Sequence, residues 1–277
     1  MAELPATALD HYERFSLYNS PYPAHDAGCA IDLYSDRTEA IAPVSGTVLD
    51  TRTVRCPDRP YAVAEDSLIL VDCGAYIARI LHVDPDVEPG EEITTGESLG
   101  RLVRSGFFGR WVDNHVHLGF RRPEQNLYRA SGSLPIDLDV PVTGIEWDGT
   151  GTVTGVGPTH IQLDSPSYGG RGFAALASDE GVPLDGGLPH YGGGGAFRST
   201  SGELSFFDTK VGSVDGRTVT WRDVVVSVDD RRATGLSLFA SRGTIGAKIV
   251  FHEGHGVSVG DRVQLNVEPT DDPIRLG

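Results

Sequence analysis

Lysine is nearly missing from this sequence, in which Lys210 and Lys248 are the only two lysines. Acidic residues outnumber basic ones by 39 to 23, which gives a formal net charge of −16. Such a charge argues against nucleic-acid backbones and acidic membrane surfaces as binding partners. Because an acidic surplus with little lysine is typical of adaptation to a salt-rich cytosol, we predict a halophilic protein.

Long apolar runs are also lacking. No run approaches the ~18 apolar residues that indicate a membrane-spanning helix. Residues 1–18 contain Glu3, Asp10, Glu13 and Arg14, without the basic head and apolar core of a secretory signal. We therefore expect a cytoplasmic protein with no signal peptide and no membrane span.

Cysteine is scarce, and the three cysteines present are Cys29, Cys56 and Cys73. An odd number without paired spacing, in a chain without an export signal, argues against a disulfide framework. We expect all three to pack as small apolar residues. Cys29 also lies close in sequence to the candidate site described below, where its sulfur could compete as a soft metal ligand.

Helical periodicity is weak, and its best windows are the short segments Ala6–Phe15 and Asp36–Ala40. The 35 glycines and 17 prolines separate apolar runs of a few residues, which is the pattern of an all-β protein with many turns. In the first half we predict strands at Ile31–Tyr34, Ala40–Pro43, Gly46–Arg55, Ser67–Asp72, Tyr76–Val83, Ser98–Leu102 and His115–Phe120.

The composition changes after Arg122, and we predict a first domain at 1–122, a connector at 123–135 and a second β-rich domain at 136–277. The glycine-rich segments 168–172 and 185–196 are predicted to be flexible loops. The segment 42–48 and the segment from His82 to Glu91 have counterparts at 140–145 and 252–261. The second domain is therefore either a degenerate copy of the first or shares only its turn chemistry.

The strongest candidate for a functional motif is His115-Val116-His117, which alternates polar and apolar residues as a strand does. Residues two apart on a strand point to the same side, so both imidazoles face one way. His25, Asp32 and His82 are further candidates from other strands and turns. Imidazole and carboxylate are the ligands that zinc takes at about 2.0–2.2 Å, and a catalytic site leaves one position open.

The order of these residues resembles that of the lysostaphin-type zinc metallopeptidases, over residues 24 to 122. The motifs that carry the resemblance are His25 to Asp32, Ile41-Ala42-Pro43-Val44-Ser45-Gly46-Thr47-Val48, Leu81-His82, Val87-x-x-Gly90, Gly96-x-x-Leu99-Gly100 and His115-Val116-His117. The resemblance implies a lysostaphin-type β-sandwich with barrel-sandwich-hybrid character. It also implies that His25, Asp32 and His117 bind zinc, while His82 and His115 act on the reaction without holding the metal.

A function follows from these roles. Zinc lowers the pKa of a bound water to roughly 7 and polarises a carbonyl, so we expect a hydrolase that cuts a peptide or amide bond. A neutral imidazole can take the proton, and a protonated one can stabilise the oxyanion. We favour His115 as the base and His82 as the stabiliser, although the sequence does not separate the two roles.

Two alternatives stay open from the sequence. The first is a non-catalytic binding module on the same fold, with a structural metal or none. It is favoured by the longer spacing between His25 and Asp32 and by the lack of an export signal. The second, a biotinyl- or lipoyl-carrier-like domain, is weakened because the first half contains no lysine for a hairpin tip. Neither the natural substrate nor the oligomeric state is indicated.

Overall fold

A computed structural model describes residues 1–243 and 245–276, and almost all of its regular structure is strand, which confirms the all-β prediction. The chain forms two compact units. Unit 1 comprises Met1–Phe15 and Pro23–Val140, and unit 2 comprises Ser16–Tyr22 and Pro141–Gly277. Among the described residues, no helix has the length and apolarity needed to cross a membrane.

The strands of the first unit are short and closely spaced along the chain. They are β1 Ala2–Leu4, β2 Arg14–Ser16, β3 Ala30–Tyr34, β4 Glu39–Ile41, β5 Gly46–Arg55, β6 Glu65–Asp72, β7 Ile77–Leu81, β8 Val83–Pro85, β9 Glu92–Ile93, β10 Ser98–Leu102, β11 Val116–Arg121 and β12 Ile136–Leu138. The main sheet has the order β2-β3-β11-β7-β6-β5-β9, and a smaller one has the order β4-β10-β8.

The centre of the main sheet is buried on both faces. Every residue of β3 and β11 is buried, and four of the five residues of β7 are. Ile31, Leu33 and Leu118 supply apolar surface there, each contributing about 1.5–3 kcal/mol when fully buried. Polar side chains on the same strands, such as Asp32 and His117, are therefore also held away from water.

Neither of the two segments with the best helical periodicity forms an α-helix. Ala6–Phe15 forms only a 3-10 turn at Ala6–Leu9 and then enters β2, because Tyr12 is buried with its hydroxyl bonded to the Ile41 carbonyl at 2.6 Å. The window Asp36–Ala40 is a bend that leads into β4, whose Glu39 pairs with Arg101 on β10. Strand pairing with distant residues outweighs the weak local preference.

The predicted strand Tyr76–Val83 is interrupted at His82, which separates β7 from β8. His82 has φ = 71°, in the left-handed region that residues other than glycine seldom adopt. The break turns the chain from the main sheet into the smaller one, where β8 pairs with β10. The other predicted strands are found within a few residues of their predicted bounds.

The second unit contains longer strands. They are β13 Val142–Ile145, β14 Thr150–Gly157, β15 His160–Leu163, β16 Phe173–Leu176, β17 Leu184–Leu188, β18 Gly193–Phe206, β19 Thr209–Trp221, β20 Val224–Val228, β21 Arg231–Ala233, β22 Gly235–Leu238, β23 Ala240–Arg242, β24 Lys248–Val250 and β25 Arg262–Pro269. Its large sheet has the order β19-β18-β17-β22-β24-β15-β14-β25-β20-β21.

The sequence segments that resemble each other in the two halves differ in strand formation and strand pairing between the two units. β5 pairs antiparallel with β6, whereas β13 pairs in parallel with β16. The segment 252–261 forms no strand, although its counterpart contains β8. Strand pairing thus gives no support to duplication, which stays a prediction.

The prediction of a flexible loop at 185–196 is wrong. Most of this segment belongs to β17 and β18, which pair antiparallel with Asp185 opposite Gly195. A Cβ on Gly195 would lie 2.1 Å from the ring of Tyr18, so the glycine makes room for an aromatic side chain. Gly194 likewise lies against the ring of Trp221, so these two strand glycines allow close packing.

The boundary between the units differs from the predicted connector at 123–135. That segment folds into unit 1, because the guanidinium of Arg121 donates to the carbonyls of Asn126, Arg129 and Ser131. β12 also belongs to unit 1, since it pairs in parallel with β1. The first unit therefore continues to Val140.

An early segment of the chain, Ser16–Tyr22, belongs to unit 2. The buried carboxylate of Asp185 accepts hydrogen bonds from the Ser16 hydroxyl at 2.5 Å and from the backbone N–H of Leu17 at 2.6 Å. The side-chain amide of Asn19 donates to the Ser237 hydroxyl at 2.7 Å. These contacts with one acceptor on β17 and one on β22 could not be read from the local sequence.

Candidate metal centre

Asp32 and His117 lie directly opposite each other on the paired strands β3 and β11. Nδ1 of His117 is 2.9 Å from Oδ1 of Asp32, and both side chains are buried. The pairing register alone places them there, because cross-strand neighbours on one face lie about 4.5–5.5 Å apart at their Cβ atoms. The strand prediction for this part of the site is thus confirmed.

His25 reaches the same point from a turn that precedes β3. The turn is a distorted 3-10 segment, Asp26–Gly28, in which Ala27 and Gly28 have φ of 53° and 69°. This reversal carries Nε2 of His25 to 3.4 Å from Oδ1 of Asp32, although six residues separate the two in the sequence.

His25, Asp32 and His117 form a group whose potential ligand atoms all lie within 4.8 Å of one another. Within residues 1–243 and 245–276, it is the only group of three or more histidine, cysteine or acidic residues with this arrangement. Cys29 is not a member, and burial together with the charge of Asp26 raises the pKa of its thiol. Its predicted competition for the metal therefore finds no support in the geometry.

His115 stands just before β11 and also faces Asp32. Its Nε2 is 3.4 Å from Oδ1 of Asp32, while its Nδ1 is 2.8 Å from the backbone carbonyl of Asp113. A carbonyl only accepts, so Nδ1 carries a proton; Nε2 presents its lone pair when the ring is neutral and donates to Asp32 when the ring is protonated. The ring of Tyr34 covers it at 4.9 Å between centroids.

His82 is the fifth predicted residue to reach the cluster. Its ring centroid lies 4.9 Å from that of His115 and 5.6 Å from that of His117. Its Nδ1 is 2.6 Å from Oδ2 of Asp66, a buried carboxylate at the start of β6. All five predicted site residues are therefore brought together, whereas Asp66 was missed.

The electrostatics of the site favour an ionised Asp32 and disfavour a charge on His82 and His117, whose pKa values burial lowers. Burial alone would raise the pKa of Asp32, but the charges of His115 and His25 and hydrogen bonds from His115 and His117 hold it well below its usual range. Burial lowers the pKa of His117 to about 4, against the hydrogen bond and charge of Asp32. Carboxylate and neutral imidazole are the protonation states that bind a metal.

An aromatic loop between β10 and β11 lies against His82 and His115. The ring of Phe108 is 5.1 Å from His82 and 4.7 Å from His115. The guanidinium of Arg104 holds the loop in shape by donating to the carbonyls of Gly109 at 2.9 Å and Arg110 at 2.8 Å. Apolar rings on one side of the imidazoles limit their exposure to water.

The histidines of unit 2 do not assemble in this way. His190 is fully buried, and burial lowers its pKa to about 3. His255 uses Nε2 to donate to the Gly157 carbonyl at 2.8 Å and Nδ1 to accept from the backbone of Val257 at 3.2 Å. His252, three residues earlier, is exposed. Neither belongs to a group that could hold a metal in the part of the chain that the structure describes.

Two family models match the chain. Residues 3–138 match the N-terminal domain, and residues 143–268 the C-terminal domain, of the family described as "Domain of unknown function (DUF8155)". Together they span nearly the whole chain, which therefore belongs to this family, and the gap between them coincides with the boundary of the two units at Val140. No curated protein and no solved structure matches it significantly.

Proposed function

We propose that the chain is a zinc-dependent hydrolase that cuts a peptide or amide bond, as the resemblance to lysostaphin-type metallopeptidases implies. The observation that carries the proposal is the buried group of two imidazoles and one carboxylate, with two further imidazoles beside it. In this proposal His25, Asp32 and His117 hold the metal, and His82 and His115 face the reacting atoms.

The donor atoms fit zinc. Tetrahedral zinc with ligands at about 2.0–2.2 Å requires ligand atoms about 3.3–3.6 Å apart. The separation of 3.4 Å between His25 Nε2 and Asp32 Oδ1 falls in this range, and that of 2.9 Å between His117 Nδ1 and Asp32 Oδ1 is close to it. Two nitrogens and one oxygen form a donor set of the kind that catalytic zinc sites use.

The position of His115 supports a catalytic site over a closed structural one. It is buried beside Asp32, yet it lies outside the group whose ligand atoms are mutually within 4.8 Å. With three protein ligands rather than four, the fourth tetrahedral position stays available for water or substrate, which is the arrangement of catalytic zinc.

When bound, a zinc ion supplies Lewis-acid activation of water and of the scissile carbonyl. The chain's own contribution is proton transfer and exclusion of solvent. Of the two imidazoles beside the ligands, one accepts the proton of the attacking water and the other stabilises the charge that develops on the carbonyl oxygen. The proton then passes to the departing amine.

A non-catalytic module with a structural metal is the second candidate. It is favoured by burial, since the five residues are at most 8% exposed. The two candidates differ in one outcome: a structural site holds zinc without hydrolysing any peptide or amide.

The test uses zinc-loaded wild type and the variants His115→Ala and His160→Ala, assayed for zinc content and for hydrolysis of a peptide library that includes glycine-rich sequences. His115→Ala should keep one zinc per chain and lose at least about 100-fold in kcat/KM. The control His160→Ala, in unit 2, should retain both. Wild-type protein that carries zinc but cleaves no member of the library would refute the hydrolase and favour the structural site.

A further inference from the structure

Asp66 is a buried carboxylate surrounded by hydrogen-bond donors. Its Oδ1 accepts the backbone N–H of Ser67 at 2.7 Å and that of His82 at 2.9 Å. Its Oδ2 is 2.6 Å from Nδ1 of His82, and the hydroxyl of Ser105 donates to the same carboxylate. Each carboxylate oxygen of Asp66 thus has its own hydrogen-bond partners. Rotation of the carboxylate would break these hydrogen bonds at a position without access to water.

The left-handed turn at His82 makes this arrangement possible. Because the chain leaves the sheet there with φ = 71°, both the backbone N–H and the ring of His82 meet the same carboxylate. An ionised carboxylate can only accept, so Nδ1 carries the proton in the neutral ring. The ring nitrogen that Asp66 does not engage, Nε2, keeps its lone pair.

His82 and His115 differ in the group that accepts a hydrogen bond from Nδ1. Nδ1 of His82 faces a carboxylate, whereas Nδ1 of His115 faces the neutral backbone carbonyl of Asp113 at 2.8 Å. A positive charge that forms on His82 is therefore stabilised by an adjacent negative charge that no zinc ligand shares. The carboxylate nearest to His115 is Asp32, which the metal would neutralise.

We propose that Asp66 is a positioning residue that fixes the tautomer of His82 and makes His82, rather than His115, the proton acceptor of the site. This inference rests on the hydrolase proposed above. As water adds to the carbonyl carbon, one O–H bond breaks and an N–H bond forms at Nε2 of His82. When the C–N bond breaks, that proton moves to the departing amine, and the ring returns to its first tautomer.

The substitution Asp66→Asn tests the proposal with almost no change in shape. The two backbone N–H groups at Oδ1 require the amide oxygen at that position. The amide nitrogen then takes the place of Oδ2 and donates to Nδ1 of His82, which must accept. The ring proton consequently moves to Nε2, where it blocks proton transfer from water.

Asp72→Asn is the matched control. Asp72 ends the same strand, β6, and its Oδ1 accepts the backbone N–H of Gly74 at 2.8 Å, at the opposite end from His82. The substitution makes the same chemical change in the same sheet without touching the cluster.

The readout is the tautomer of His82 in metal-free, ¹⁵N-histidine-labelled protein, from long-range ¹H–¹⁵N spectra above the imidazole titration. Wild type and Asp72→Asn should show the Nδ1–H form, and Asp66→Asn the Nε2–H form. With zinc loaded, Asp66→Asn should lose roughly 10²–10⁴-fold in kcat, with KM within about threefold and one zinc retained, by analogy with misplaced tautomers in catalytic triads.

An Nε2–H tautomer in wild type would overturn the proposal, and this spectrum needs no variant to fold. So would an Asp66→Asn variant that keeps the Nδ1–H form, or one whose kcat stays within about threefold of wild type. If zinc-loaded wild type hydrolyses nothing, the hydrolase and the role of His82 as base both fail, while the tautomer spectrum still decides what Asp66 does to His82.

Discussion

The two units use histidine in opposite ways. In unit 1 His25, His82, His115 and His117 come from separate turns and strands and converge around Asp32. In unit 2 His190 is fully buried against Tyr191, and His255 is partly buried with its own hydrogen bond to Gly157. The difference indicates that burial of an imidazole is not by itself a sign of a site. The proposal rests on the convergence of several imidazoles on one carboxylate.

Burial has the same energetic effect on a histidine in both units, but the surroundings of the buried ring differ. Each buried histidine is denied water, and its charged form is disfavoured. In unit 1 the buried imidazoles lie next to an ionised carboxylate, in a group that could hold a metal ion. In unit 2 the buried side chain of His190 packs against its neighbours, and the protein is expected to lose stability in acid as a result.

Metal removal should produce the largest difference between the units. Dialysis against a chelator should reduce hydrolysis by more than about 10³-fold, because the Lewis acid supplies several kcal/mol of transition-state stabilisation. Re-addition of zinc should restore the rate. Activity that persists after chelation, with zinc content verified as negligible, would contradict the proposed role of the cluster.

Zinc should also stabilise unit 1 selectively. At free zinc about 1,000 times its Kd, binding to the native state alone adds about 4 kcal/mol to the free energy of unfolding. Hydrogen exchange with and without zinc should show added protection in β3 and β11, and not in β22 and β24. Equal added protection in both units would contradict zinc binding in unit 1 alone. The variant Asp32→Ala should show no added protection with zinc.

Acid should expose the cost of His190. Burial lowers the pKa of His190 from 6.5 to about 3, against a hydrogen bond to the Leu188 backbone. Between pH 6.5 and 3 the unfolded chain therefore binds a proton at this histidine that the native state does not bind. The contribution of His190 to the free energy of unfolding is highest above pH 6.5 and decreases as the pH falls toward 3. The loss is about 1.4 kcal/mol per pH unit, or about 2 kcal/mol at pH 5.

The substitution His190→Phe keeps a ring against Tyr191 and should flatten that part of the pH dependence in denaturant unfolding of metal-free protein. His252→Gln, at an exposed position, should leave the slope unchanged. An unchanged slope in His190→Phe would mean that the acid sensitivity has another source.

The smallest effect is expected at His255. It makes two hydrogen bonds, to Gly157 and from Val257, at a position that is only partly buried. His255→Ala should cost about 1 kcal/mol of stability and leave zinc content and hydrolysis unchanged. Loss of zinc in this variant would show that unit 2 contributes to the metal site.

Much of the candidate site could be predicted from the sequence, because its strands are recognisable from the alternation of polar and apolar residues. His115-Val116-His117 reads as a strand, and the register of β11 against β3 then places His117 opposite Asp32. His25 and His82 were candidates as histidines on other strands and turns, and the resemblance assigned them roles. Residue order was thus enough to propose which side chains meet.

Asp66 could not be found in this way. Its contact with His82 depends on a left-handed break in an apolar run that the sequence predicts to be one continuous strand. No glycine marks that position. An acid at the start of an apolar strand was the only local signal, and such acids are usually solvated.

The errors in the fold have a common cause, which is packing between residues far apart in the chain. The glycines of β18 resemble a flexible linker until the ring of Tyr18 is placed against Gly195. Ser16 and Leu17 belong to unit 2 because Asp185, about 170 residues later, binds them. Local composition carries no information about such contacts.

The central claim is that one zinc is held by His25, Asp32 and His117. Its most direct test is the zinc content of purified, zinc-reconstituted protein, measured by elemental analysis for wild type, His25→Ala, Asp32→Ala and His117→Ala, with His255→Ala as the control. We expect one zinc per chain in wild type and in the control, and near-complete loss in the other three. Full occupancy in Asp32→Ala would contradict the assignment, because Asp32 is the acceptor on which the three imidazoles converge.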